Sequence, residues 1–304
     1  MGRFVTGVAP IAEKIVADAV KGIGEAIDVL KIPNLEGVVL GGGYGRGEGG
    51  AYVSQDGKES LSNDLDFFAI ASEGTSKVER TAISNALKVV ADEWSSKLRI
   101  DVDFCFPKTP SRMRKDGKFL MIQELLHGYA DVAGEKGEVM FAGIRRIDSG
   151  ELPKSEAARL LMNRGAGLLL AREATAFGVE KSGGFIPRNI NKCVLGAFDA
   201  RLIIEGRYKW RQKERVEALG SNLYTAAAEW KARPRSESVC DWSVAKDEWF
   251  NTFRMLGKSP LFGAPCSRFA ILGPVAVGLI ARCMESNDCM FTGTLAHKLW
   301  RKLS

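Results

Sequence analysis

Two pairs of aspartates are candidate catalytic groups because each pair occurs within an apolar stretch. Asp64 and Asp66 form one D-x-D pair, and Asp101 and Asp103 form the other. Side chains alternate along a strand with a period of two residues, so the members of each pair are expected on one face. Carboxylates among apolar neighbours cost free energy unless a partner neutralises them. The pattern therefore predicts bound Mg²⁺, which prefers hard oxygen ligands.

A glycine-rich segment, residues 41–50, follows a short apolar run and precedes the first aspartate pair. Its Gly42 and Gly43 would let backbone N–H groups approach phosphates without an intervening Cβ. The segment also fits the G-x-G-x-x-G pattern of dinucleotide-binding proteins, but that pattern requires a helix immediately afterwards. Residues 51–62 are too polar and turn-prone to form one. The sequence therefore favours a phosphate-binding turn that is not of the dinucleotide type.

This order of glycine pair, D-x-D and later strand aspartate resembles the polymerase-β-like nucleotidyltransferase superfamily, especially its small-molecule members such as the aminoglycoside-modifying enzymes. In that family the glycine pair holds a nucleoside triphosphate. Three strand carboxylates bind two magnesium ions, which align an attacking hydroxyl with the α-phosphate while pyrophosphate leaves. The resemblance implies that Asp64 and Asp66 bind metal, and that the nucleotide contacts are Gly42, Gly43, Tyr44, Arg46 and Asn63.

The third carboxylate has two candidates within the second pair. The run Arg99-Ile100-Asp101 is similar to the family's strand motif of arginine, apolar residue and aspartate, which favours Asp101. Asp103 stays an alternative because it is expected on the same face. The resemblance implies that whichever of them lies nearest the metals binds one and accepts the proton of the attacking hydroxyl.

One departure from the family pattern is the spacing between the glycine pair and the D-x-D. Twenty residues separate Gly43 from Asp64, and residues 49–62 are predicted to form an inserted hairpin that turns at Asp56-Gly57.

Apolar spacing and breaker residues predict the surrounding elements. Strands are expected at 38–40, 65–71 and 98–106, the last ended by Pro107, and a stretch of mixed character at 129–150. Helices are expected at 11–30, 76–97, 119–128, 153–177, 189–206 and 211–231. These elements predict an α/β (α+β) domain with a mixed sheet over residues 1–150, followed by a mainly α-helical domain over residues 151–304. The resemblance implies that the first is the nucleotidyltransferase catalytic domain and that the second closes over substrate and nucleotide.

The predicted second domain has one candidate for the nucleotide. Lys192 lies on the predicted helix 189–206, where it shares one helical face with Asp199, seven residues later. Small-molecule nucleotidyltransferases have a helical second domain that contributes a lysine to the triphosphate. The resemblance therefore implies that Lys192 binds the triphosphate.

Composition limits the class of protein. The chain has 304 residues, of which 45% are apolar and 26% charged. These values exclude a disordered tail, a collagen-like repeat and a membrane bundle. Its six cysteines lack the close spacing of a zinc site, which predicts reduced core cysteines and a cytoplasmic protein without a membrane partner. The net charge of +6 is concentrated in residues 188–235 and suits an anionic partner.

Three functions are compatible with these observations. The first is transfer of a nucleoside monophosphate from a triphosphate, expected to be ATP, to a hydroxyl of a small molecule or protein. The second is an RNA-directed terminal nucleotidyltransferase, which basic residues interleaved with Tyr208 and Trp210 would suit. The third is a nucleotide-binding protein without catalytic turnover. The paired carboxylates favour an enzyme, and the absence of any recognisable RNA-binding module favours the first function.

Overall fold

The computed structural model describes residues 2–178 and 184–257, together with Ile280 and Met284. The chain divides into two compact units. The first comprises Met1–Ile147 and Ala232–Pro234, and the second comprises Asp148–Lys231 and Arg235–Ser304. The expected domain boundary after residue 150 lies close to this division.

The first unit contains a four-stranded mixed sheet with the strand order β5-β4-β1-β6. Strand β1 runs antiparallel to both of its neighbours, whereas β4 and β5 are parallel. Its elements are α1 (Pro10–Leu30), β1 (Leu35–Leu40), α2 (Gly42–Gly45), β2 (Ala51–Val53), β3 (Glu59–Leu61), β4 (Leu65–Ala71), α3 (Lys77–Leu98), β5 (Val102–Lys108), α4 (Pro110–Lys115), α5 (Leu120–Leu126), β6 (Ala130–Gly134) and α6 (Gly137–Met140). The mixed α/β class expected from the sequence is confirmed.

Apolar cores lie on both faces of this sheet. Leu65 and Phe67 of β4 pack with α1 and α3 in one core, whereas Phe68 and Ile70 pack with α5 and α6 in the other. Each fully buried side chain of this size contributes about 1.5–3 kcal/mol relative to an exposed one. Strand β4 is therefore held rigidly from both sides, which fixes the position of the aspartates at its beginning.

The hairpin predicted over residues 49–62 is present. Strands β2 and β3 pair antiparallel, and Gly57 adopts a φ of 78° at the turn. The hairpin is anchored to α1, whose N-cap residue Ala9 makes no side-chain cap. Instead the Glu59 carboxylate accepts hydrogen bonds from the backbone N–H groups of Ile11 and Ala12 at 2.8 and 2.9 Å. A residue 47 positions further along the chain thus satisfies the free donors of this helix start.

Strand β5 differs from its expected bounds at both ends. Helix α3 continues to Leu98, and Arg99 closes it in the left-handed conformation with a φ of 57°, so the strand begins only at Val102. The prediction that Pro107 ends the strand is wrong, since β5 continues to Lys108. Proline is tolerated there because β5 is an edge strand with a register shift in its pairing, where a missing N–H costs little.

Helices make up the second unit, and no strand occurs among its described residues. Its longer elements are α7 (Lys154–Ala176), α8 (Phe185–Ile204), α9 (Gln212–Leu219), α10 (Asn222–Ala232) and α11 (Trp242–Gly257). A 3₁₀ turn at Ser149–Glu151 precedes α7, and the last residue of α10 belongs to the first unit. The single helix predicted over 211–231 is wrong, because Gly220 adopts a φ of 58° and separates α9 from α10. In the described ranges, no helix has the length and apolar character needed to cross a membrane.

Candidate functional site

The predicted glycine turn lies directly against the first aspartate pair. Strand β1 ends at Leu40, and the N–H of Gly41 donates to the carbonyl of Asp66 at 2.8 Å. Gly42 then adopts a φ of 61°, and a Cβ at this position would meet Oδ2 of Asp66. Glycine is thus required at position 42 by both its backbone conformation and the carboxylate beside it.

Gly43 is different, because packing does not explain the lack of a side chain. Its φ lies outside the left-handed region, and a Cβ would meet the carbonyl oxygen of Glu48 at 3.4 Å and the Cα of Gly49 at 3.8 Å, which are ordinary van der Waals contacts. At Gly45, by contrast, a Cβ would run into the carbonyl of Leu40. Gly43 is half-buried, so its open side can receive a ligand that approaches the backbone.

Asp66 and Asp103 lie on one face of the β4–β5 pair, and Asp64 and Asp101 immediately precede these two strands. Asp66 and Asp103 are register partners on these parallel strands, and the N–H of Leu65 donates to the carbonyl of Asp101 at 3.0 Å. Asp64 and Asp66 alternate with Leu65, whose side chain points into the opposite core. The strand pairing therefore places each member of one D-x-D pair beside a member of the other.

These carboxylates act on one another electrostatically. Burial raises the pKa of Asp103 above its ordinary value, the negative charges of Asp101 and Asp64 raise it further, and Lys88 opposes the shift. Burial also raises the pKa of the Cys105 thiol to about 11, and the charge of Asp66 is the next contribution. Negative charge is thus concentrated at this end of the two strands, where a cation would be stabilised.

The donor set suits magnesium in its chemistry, since all four groups are carboxylates at neighbouring strand positions. In the described part of the chain, however, no three Asp, Glu, His or Cys side chains converge closely enough to form a metal site. The assignment of two magnesium ions to Asp64, Asp66 and either Asp101 or Asp103 therefore stays a prediction.

Tyr44 joins the glycine turn to the segment that leads into Asp64. The residue is 1% exposed. Its hydroxyl donates to the carbonyl of Gly50 at 2.7 Å and accepts from the N–H groups of Ser62 and Asn63 at 3.2 and 3.4 Å. The ring has almost no accessible surface, so it positions the turn and cannot itself lie against a nucleotide. Asn63 is half-buried, and its expected contact to the nucleotide stays a prediction.

Arg46 fastens the end of the glycine turn to helix α5. Its side chain is only 8% exposed, and its guanidinium forms ion pairs with Glu48 at 3.3 Å and Glu124 at 3.2 Å. The sequence carries no sign of this contact with Glu124, which lies 78 positions from Arg46 in a segment whose pattern indicates packing alone. The guanidinium charge is offset within the fold, which supports a positioning role. A contact of Arg46 to the nucleotide stays a prediction.

The second unit carries the remaining candidate, Lys192, which is half-buried on α8. Its expected role toward the triphosphate stays a prediction. Asp199, seven positions later, accepts a hydrogen bond from the Tyr224 hydroxyl at 2.6 Å and pairs with Arg215 at 3.1 Å. Asp199 is therefore part of a network that links α8 to α9 and α10.

The basic and aromatic run that suited an RNA partner is not a continuous exposed surface. Tyr208 is 1% exposed and Arg215 is 2% exposed. The Arg215 guanidinium donates to the Tyr208 hydroxyl at 3.1 Å and to the Lys209 carbonyl at 2.7 Å. Because base stacking requires an accessible aromatic ring, Tyr208 cannot provide a platform for single-stranded RNA.

No protein-family model matches the sequence, and the search of curated proteins finds no match either. A function for this chain must therefore be argued from the glycine turn, the two aspartate pairs and the strands that hold them.

Proposed function

We propose that this protein is a metal-dependent nucleotidyltransferase. It transfers a nucleoside monophosphate from a nucleoside triphosphate, which we expect to be ATP, to a hydroxyl of a small molecule or protein and releases pyrophosphate. The observation that carries the proposal is the placement of Asp66, which lies against the Gly42 turn on one side and in register with Asp103 on the other. Phosphate-binding backbone and metal-binding carboxylates would therefore serve one ligand.

The glycine turn would bind and orient the triphosphate. Gly43 leaves its backbone open to a phosphate, and the buried Tyr44 holds the turn at a fixed distance from Asn63. Asp64 and Asp66 would hold the metal ions at the beginning of β4. When bound, magnesium would neutralise charge on the phosphates and on the attacking and leaving oxygens.

For the third carboxylate, the strand register favours Asp103 over Asp101. Asp103 belongs to β5 and is paired with Asp66, whereas Asp101 precedes the strand. Asp103 would accept the proton of the attacking hydroxyl, provided that the acceptor lies within hydrogen-bond reach.

The proposal is tested by incubating the full chain with Mg²⁺, each of the four common ribonucleoside triphosphates and a panel of hydroxyl-bearing small molecules. Pyrophosphate release and a mass increase of the acceptor by one nucleoside monophosphate are expected, and both should fall by orders of magnitude in Asp66→Asn. Asp18→Asn, at an exposed position of α1, is the matched control and should retain full activity.

Two results would contradict the proposal. Equal product formation by Asp66→Asn and wild type would exclude the carboxylate mechanism. Saturable binding of magnesium and triphosphate, without release of pyrophosphate from the triphosphate in the presence of any acceptor, including RNA oligonucleotides, would instead identify a nucleotide-binding protein without turnover.

A further inference from the structure

A cavity of the first unit lies at the end of the β4–β5 pair that is opposite to the aspartate pairs. Its volume is about 590 Å³, and it is lined by the charged residues Glu73, Arg80, Lys108, Arg112 and Asp116 and by Phe106. Lys108 is the register partner of Ile70. Since a strand rises about 3.3 Å per residue, Ile70 lies about 13 Å from Asp66. The cavity is therefore separate from the proposed nucleotide site.

The lining of this cavity carries more positive than negative charge. Both Lys108 and Arg112 bind the same oxygen of Asp116, Oδ2, at 2.9 and 3.1 Å. The Asp116 side chain is only 5% exposed, so it fixes the two cations in place and offsets only part of their charge. The carboxylate of Glu73 is held separately, since it accepts a hydrogen bond from the N–H of Ser111 at 2.9 Å.

The Arg80 guanidinium is held in position by contacts with the protein. One terminal nitrogen donates to the carbonyl of Pro107 at 3.2 Å, and the group lies over the Phe106 ring at 5.3 Å. Its Nε is buried and makes no hydrogen bond within the part of the chain that the structure describes. A phosphate in the cavity would therefore meet the Arg80 charge through the terminal nitrogens of the guanidinium and not through the buried Nε.

Arg112 lies on α4 at the rim of the cavity. Its Nε binds Asp116, while the side chain as a whole is 53% exposed. The terminal nitrogens of Arg112 can therefore contact a ligand while its Nε keeps the hydrogen bond to Asp116. Arginine's planar set of donors matches the oxygens of a phosphate group in two parallel hydrogen bonds.

We propose that this cavity binds a phosphorylated small molecule, with the phosphate held between Arg80 and Arg112 and assisted by Lys108. A volume of about 590 Å³ exceeds the needs of a single inorganic ion and falls within the range of small-molecule sites. The charged side chains of the lining favour a ligand that carries an anionic group. Binding here requires neither the aspartate pairs nor the glycine turn, so this proposal stands or falls independently of the nucleotidyltransferase activity.

The test is a calorimetric titration of the full chain with ribose 5-phosphate, and separately with inorganic phosphate, at constant ionic strength. A chelator is present so that no divalent metal contributes. Saturable binding of ribose 5-phosphate is expected, and Arg112→Gln should weaken it about tenfold or more. Arg114→Gln is the matched control on the same helix. Arg114 pairs with Glu73 at 3.7 Å but does not line the cavity, so its variant should bind within about twofold of wild type.

Three outcomes would overturn the proposal. Wild type could show no saturable binding of either probe at millimolar concentration. Arg112→Gln could bind as tightly as wild type, which would place the phosphate elsewhere. Finally, Arg112→Gln and Arg114→Gln could lose affinity equally, which would indicate a diffuse attraction to positive charge. Because Arg112 is exposed, its variant is expected to fold, and a thermal unfolding scan of each variant checks this.

Discussion

A side chain at Gly45 would collide with the protein, whereas one at Gly43 would not. Substitutions at these two glycines can therefore distinguish a role in phosphate binding from a role in folding. The three atoms nearest to a Cβ at Gly43 would be backbone atoms of Glu48 and Gly49, none closer than 3.4 Å. We expect Gly43→Ala to change the free energy of unfolding by less than about 1 kcal/mol, since alanine also restricts the unfolded chain. The bulkier Gly43→Val should weaken binding of the magnesium–triphosphate complex more strongly, because its side chain would block the approach of a phosphate.

Gly45→Ala is the matched control for Gly43. Its Cβ would collide with the Leu40 carbonyl, so it should lower the midpoint of urea unfolding clearly. Unchanged nucleotide affinity in Gly43→Val, measured by calorimetry, would mean that the turn has only a structural role.

The Tyr44 hydroxyl forms hydrogen bonds with three backbone groups, so its removal is expected to destabilise the fold. Tyr44→Phe would leave the carbonyl of Gly50 and the N–H groups of Ser62 and Asn63 without this partner. We expect a loss of about 1–3 kcal/mol in the free energy of unfolding. Nucleotide affinity should also fall, since the turn would lose its link to Asp64. A variant as stable as wild type would show that water replaces the hydroxyl.

The raised pKa of Asp103 predicts that the free energy of unfolding depends on pH. Its pKa is raised in the folded state, so the fold binds this proton more tightly than the unfolded chain does. The stability that Asp103 contributes is therefore present at low pH and is lost as the pH rises from about the ordinary value of 3.8 through the raised pKa. We expect the unfolding free energy of wild type minus that of Asp103→Asn to fall over this window.

Urea titrations at a series of pH values measure this difference. Repeating them in an Asp101→Asn background should flatten the slope, because the charge of Asp101 is one cause of the shift. A difference that rises with pH would contradict the proposed crowding of negative charge.

Among the elements, the β2–β3 hairpin provides the Glu59 carboxylate that caps the start of α1. Glu59→Ala removes both hydrogen bonds to the start of α1, and we expect a loss of about 0.5–2 kcal/mol, as for other helix caps. Gln55→Ala, at the exposed tip of the same hairpin, should stay within about 0.5 kcal/mol of wild type. Equal urea midpoints for the two variants would show that the hairpin does not support the helix.

Elements defined by local pattern were predictable from the sequence. The 65–71 strand matches β4 because its apolar run is buried on both faces, and the hairpin follows from Asp56-Gly57. Strand β6 was not assigned, since its five residues, ADVAG, are short and glycine-flanked and are defined only by pairing with β1. The break at Gly220 was missed because a single glycine does not always end a helical pattern.

The candidate site was predictable in its residue types but not in its supporting contacts. Spacing alone indicated that Asp64 and Asp66 share a face. The register that pairs Asp66 with Asp103 depends on a contact between segments far apart in sequence, and it changes the preferred third carboxylate from Asp101 to Asp103. The burial of Tyr44 likewise depends on the hairpin that follows it.

At the scale of the whole molecule, the proposed site depends on strand pairing. Pairing of β1 with β4 sets the glycine turn against Asp66, and pairing of β4 with β5 adds Asp101 and Asp103. No short segment contains the site, which is why its geometry can be tested only in the folded chain.

The most direct test of the central claim is a calorimetric titration of the full chain with a non-hydrolysable ATP analogue, with and without Mg²⁺. We expect saturable binding that requires Mg²⁺, is retained in Asp18→Asn and is weakened at least about tenfold in Asp66→Asn. Binding of equal strength in Asp66→Asn, or binding that is indifferent to Mg²⁺, would contradict a metal-dependent nucleotide site at the aspartate pairs.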